Sequence, residues 1–172
     1  MIIGNQERFA IEADIEQQVD GWVLGRFRFW MCGRPVGSWD DSVDLKGCVR
    51  WLRDLHEGGR DRYEPGLYPL SPEEVFRRVF DPVMAGSADR AHPMRVEDAY
   101  GRFHISHLGM SSFDRIDLLL LKDEQGAERC LWREAGSGQI VESHLWNNEM
   151  ERVAAEFCER FEREMATIND GI

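Results

Sequence analysis

The chain has 172 residues, 42% hydrophobic and 31% charged, which is enough to build one compact core without staples. Its formal net charge is −11, and a mean field of that sign repels phosphates, which excludes nucleic acid and anionic membranes as expected partners. The same field attracts a basic protein surface, although acidity also serves solubility alone.

The opening stretch MIIGNQERFAIEADIE has no positive region followed by an apolar run, so no secretory signal is expected. The longest aliphatic run, Leu118 to Leu121, is far too short to span a bilayer. Cys32, Cys48, Cys130 and Cys158 form no C-x-x-C pair and read as reduced thiols. A cytoplasmic location and a single domain over residues 1–172 are expected.

In RFAIEADIE, Phe9, Ile11, Ala13 and Ile15 alternate with Arg8, Ala10, Glu12, Asp14 and Glu16, the period of a half-buried strand. A turn around Gly21 leads to a second strand. There, Val23, Gly25, Phe27, Phe29 and Met31 form the core face, while Trp22, Leu24, Arg26, Arg28 and Trp30 form an amphipathic one. CGRPVG is a turn before a short strand near Val36 to Trp39. Val43, Cys48, Trp51, Leu52 and Leu55 then recur at helical spacing, with Asp41 or Ser42 as the cap and Gly58-Gly59 as the stop. In SPEEVFRRVF, Ser71 is the N-cap, Pro72 the first helical residue and Glu74 the capping-box partner. DPVMAGSADRAHP reads as a loop.

Strands are expected at GRFHISHLG and DRIDLLLLKD, then across a tight DEQGAE turn at ERCLWRE, and again at QIVESHLW. Met150, Val153, Ala154, Phe157, Phe161 and Met165 trace one stripe of a final helix. Asn148 and Glu151 suggest its capping box, and Glu156-Arg160 and Glu159-Arg163 its outer ion pairs. The expected fold is α+β, an antiparallel sheet of about six or seven strands covered by two or three helices.

Chemistry is sparse. On a strand His104 and His107 would point to opposite faces and could not chelate one ion. His56, His92 and His144 fall on a helix end, a loop and a strand. There is no G-x-S-x-G elbow, Walker loop, strand-borne G-x-G-x-x-G or H-E-x-x-H. GSGQ at Gly136 precedes a strand and has no helix N-terminus to hold phosphate. Asp40, Asp41 and Asp44 offer three carboxylates to a hydrolase or a divalent ion, but acids also simply favour the first turn of a helix. Cys130 sits in an expected strand with no basic neighbourhood to make it a nucleophile. No catalytic residue, metal or cofactor is assigned. Of the six tryptophans, Trp30 and Trp39 flank a turn and are the better interface candidates, while Trp51 belongs to a helix stripe.

The N-terminal pattern resembles a known family. An initial M-I-x-G is followed by Phe9, Ala10, Ile11 and Glu12, then by W-x-x-G-x-F-x-F-W from Trp22 to Trp30, then by the Gly33 to Gly37 turn. These residues cover roughly the first quarter of the chain. They look like the opening of immunity protein 42, a family of bacterial polymorphic-toxin (contact-dependent inhibition type) systems. The resemblance implies a cytoplasmic protein that binds and blocks the toxic C-terminal domain of a cognate effector, with no active site of its own. If that toxin is a nuclease, its phosphate-binding surface is basic and an acidic inhibitor can cover it. Candidate contacts are then Asp40, Asp41, Asp44, Asp123 and Glu124, with Trp30 and Trp39. The alternatives are a small hydrolase using the aspartate cluster and an adaptor domain with an unrelated partner.

Overall fold

The computed structural model describes residues 1–57, 62–81, 101–105 and 111–170, with side chains to 167. His92, His107, the Gly58-Gly59 stop and nearly all of the DPVMAGSADRAHP loop lie outside the described residues. The chain divides into two compact units: residues 1–59, 108–114 and 148–172, and residues 60–107 and 115–147. The class is α+β. All strand pairing in the two sheets is antiparallel, but where one sheet is expected there are two, of five and three strands. Ile2–Asn5 and Val43–Asp44 are additional strands, and the short strand expected near Val36 to Trp39 lies at Arg34–Val36 because it pairs with Phe29 to Met31.

In the first unit the order is β1 (Ile2–Asn5), β2 (Phe9–Val19), β3 (Trp22–Met31) and β4 (Arg34–Val36), with β5 (Val43–Asp44) pairing the other end of β3. β2 and β3 form a long hairpin closed by Asp20 and Gly21, whose φ values of 48° and 85° suit the right-handed twist of the strands. A bulge between Ile15 and Gln17 shifts the register, so Gln18 shares a face with Val23, and Val19 with Trp22. Phe27 and Phe29 are completely buried on the inner face. There Phe27 meets Phe157 edge-on at 5.7 Å, and Phe29 lies 5.1 Å from Phe113. Helices α1 (Leu45–Glu57) and the C-terminal helix (Glu149–Asp170) pack on each other and on this inner face.

Three local expectations are corrected here. Asp44, not Asp41 or Ser42, caps α1: its two carboxylate oxygens accept from Lys46 N and Gly47 N, each at 3.1 Å. Val43 and Asp44 are held extended against Gly25 and Leu24, so the chain turns helical only at Leu45. On the C-terminal helix, Arg160 pairs with Glu164, and Arg163 donates to the Glu159 carbonyl rather than its carboxylate. Its first carboxylate, Glu149, is buried and accepts from Arg8 Nε at 3.0 Å.

In the second unit β6 (Ile116–Lys122), β7 (Glu128–Glu134) and β8 (Val141–Leu145) lie side by side in that order. Leu118 to Leu121 are all buried, which is why that run is continuous rather than alternating. Helix α2 (Pro72–Val79) begins as expected, with Ser71 Oγ accepting from Glu74 N at 3.2 Å. Glu74, however, holds Arg77 and Arg78 instead of closing the box. Val75, Phe76, Val79 and Phe80 join Leu119, Leu121 and Leu131 in the core of this unit. Arg133 lies over the Phe76 and Phe80 rings and pairs with Asp117 and Asp81. Of the expected GRFHISHLG strand, the described residues 101–105 do not form one: Gly101 to Phe103 are helical, and His104 makes an isolated bridge to Leu119. The apolar pair Phe103 and Ile105 is buried without a strand, so alternation alone misled there. The C-terminal helix Glu149–Asp170 is α3 hereafter.

Candidate partner-binding surface

Alternation along β3 sends Trp22, Leu24, Arg26, Arg28 and Trp30 to the side of the sheet opposite α1 and α3. Across the ladder stand Glu12, Asp14 and Glu16 of β2, and the charges order themselves. Arg28 Nε donates to Glu12 Oε2 at 2.6 Å, and Trp30 Nε1 donates to the same oxygen at 2.7 Å. The Arg28 guanidinium lies 4.8 Å from the Trp30 ring centre and 4.4 Å from that of Trp39. Stacking of this kind fixes both indoles around one cation. The expected interface pair, Trp30 and Trp39, is thus brought together, with Arg28 between them.

Further along β3, Arg26 donates to Glu16 at 2.6 Å rather than to Asp14, its neighbour in register. The Asp14 carboxylate is exposed and has no hydrogen bond or ion pair among the described residues. At the far end the hairpin tip leaves Trp22 57% and Val19 40% exposed, side by side across the turn. Lys46 Nζ donates to the Gly21 carbonyl at 2.6 Å and ties that tip to α1. Trp22, Val19, Arg28, Glu12 and Asp14 were not among the expected contacts. The signal was present, since period two already placed Trp22 on the same side as Trp30.

The other expected contacts separate. Asp40 is exposed and Asp41 half-buried just after Trp39, whereas Asp44 is engaged as a helix cap. Asp123 and Glu124 belong to the second unit. Asp123 Oδ1 accepts from Gln125 N and Ala127 N, each at 2.8 Å, and closes the β6–β7 hairpin. Glu124 accepts from Tyr63 Oη at 2.7 Å and is exposed.

Reactive groups are scarce. Burial pushes the Cys48 thiol well above its ordinary range and the Cys158 thiol up to about 11, which suppresses thiolate. Cys130 is fully buried. Among the described residues, no three His, Cys, Asp or Glu side chains are grouped to hold a metal, and no helix is long and apolar enough to cross a membrane. Between α1 and α3 runs a groove of about 470 Å³, walled by Lys46, Arg50 and Arg53 and by Glu162.

Two antiparallel sheets with flanking helices, and a charged, indole-bearing sheet face, place the chain among small α+β proteins that present a surface. The model of the family Immunity protein 42 matches residues 1–160, and the chain belongs to that family. Its fold is similar to that in a crystal structure of CdiI from Burkholderia dolosa AUO158, with a TM-score of 0.70 and 18% identity over 93% of this chain and 99% of that one. No match is found among curated proteins.

Proposed function

We propose that this protein is an immunity protein that binds the C-terminal toxic domain of a cognate effector in the cytoplasm of the producing cell and neutralises it by occlusion, without catalysis. The observation that carries the reading is the match to the Immunity protein 42 family over residues 1–160, a span that runs through both compact units. On this reading residues 1–172 act as one functional domain. The blocked surface is basic, as in a nuclease, because a net charge of −11 complements such a surface and speeds encounter with it. A hydrolase built on Asp40, Asp41 and Asp44 is the weaker alternative, because both oxygens of Asp44 are occupied by backbone N–H groups.

The test is co-expression with the C-terminal domain of a large secreted protein, where a neighbouring gene encodes one. Restored growth and co-purification of the pair are expected. Growth arrest that persists at equal expression, or a turnover activity of the isolated protein abolished by Asp40→Asn with Asp41→Asn, overturns the reading.

A further inference from the structure

We infer that the toxin docks on the outer face of β2 and β3, and that it meets this face with a cationic side chain set between two apolar recesses. The inference rests on the immunity reading and deepens it by naming the face and the chemistry of the partner.

The two ends of β3 carry the anchors. Trp22, with Val19 beside it, stands at the hairpin tip, and Trp30 with Trp39 stands at the other end. The eight residue steps from Trp22 to Trp30 span about 26 Å at roughly 3.3 Å per step, a length suited to a protein interface. An exposed indole next to a β-branched residue gains most when it enters a dry pocket on a partner. Neither end has to be ordered on binding. The tip is held by a turn of favourable twist and by the Lys46 bond, and Trp30 is held by Glu12 and Arg28. Such pre-organisation reduces the entropy lost on association.

Charge then selects the partner. Between the anchors, Arg26 and Arg28 are neutralised by Glu16 and Glu12, and Asp14 is left over. Asp40 and Asp41 add charge beside Trp39. The face is therefore acidic between apolar ends, and its complement is a lysine or arginine flanked by recesses for Trp22 and Trp39. The α1–α3 groove has the opposite character, since three of its four charged walls are cations that repel a basic partner.

The experiment measures affinity of the full chain for the purified toxin domain by calorimetry, with growth protection read in parallel. Trp22→Ala is expected to weaken binding at least about tenfold, as the loss of an anchor does. Asp14→Asn should weaken it about threefold and reduce its dependence on salt, as a charge at the rim does. Arg50→Ala, in the groove, should bind as the unchanged protein does. All three substitutions alter exposed side chains, and unchanged circular dichroism melts establish that each variant is folded. Wild-type affinity in both Trp22→Ala and Asp14→Asn, with full protection, overturns the docking face and leaves the immunity reading intact. An unsubstituted protein that neither binds nor protects overturns both.

Discussion

Gly25 of β3 has no room for a side chain. A Cβ there would sit 2.1 Å from the Asp14 carbonyl oxygen and 2.8 Å from Leu45 Cδ1. The first obstacle is backbone, so the strand itself must move. Gly25→Ala should cost about 2–4 kcal/mol, measured as a lower denaturation midpoint with an unchanged slope. The alternation of β3 placed Gly25 on the core face, but nothing local could reveal what lies opposite it. The thiols differ by residue in the same way. Cys32 is exposed, whereas burial holds the protons on Cys48 and Cys158. At about pH 8, near the ordinary thiol pKa, alkylation should label Cys32 first. Mass spectrometry of the labelled peptides should show Cys48 and Cys158 modified only after denaturation.

At the scale of elements, the start of α2 was the most legible, because Ser71 and Pro72 act over one turn and need no distant partner. Ser71→Ala should remove about 1 kcal/mol by leaving Glu74 N without its acceptor, seen in chemical denaturation. The hydrogen bonds from Arg77 and Arg78 lower the Glu74 carboxyl from 4.5 to about 2. A depressed acid stabilises the folded state fully above its unfolded value, and that contribution disappears as pH falls from about 4.5 toward 2. Carboxyl chemical shifts followed by NMR should place the Glu74 midpoint near the bottom of that window, and Arg78→Ala should move it upward. The α1 start was misread for the converse reason. Val43 belongs to a strand only because β3 lies beside it, a long-range pairing that overrides helical spacing. The β2 bulge was equally invisible, since an extra residue leaves no mark on composition.

At the scale of the whole molecule, α+β class was readable because the periods of two and of 3.6 alternate clearly along the chain. The division into two sheets was not, because hairpin turns specify adjacent strands and say nothing of which pairs share a sheet. The candidate surface was half legible. Trp30 and Trp39 were singled out by their turn, but Arg28 and Glu12 join them only through cross-strand register. An overall charge of −11 acts at longer range than any of these contacts. Raising salt from about 0.05 to 0.5 M should slow association with the toxin domain by an order of magnitude or more, with a much smaller change in dissociation rate. Stopped-flow mixing at several salt concentrations measures both.

The first unit is assembled from three stretches that are distant in sequence, residues 1–59, 108–114 and 148–172. Phe157, which packs on Phe27, is translated after every strand has already been made. On a ribosome α1 can cover Phe29 through Trp51 early, but the edge of Phe27 that Phe157 meets must wait for the last helix. A nascent chain stalled at residue 147 would present Phe27 to chaperones without Phe157 over it.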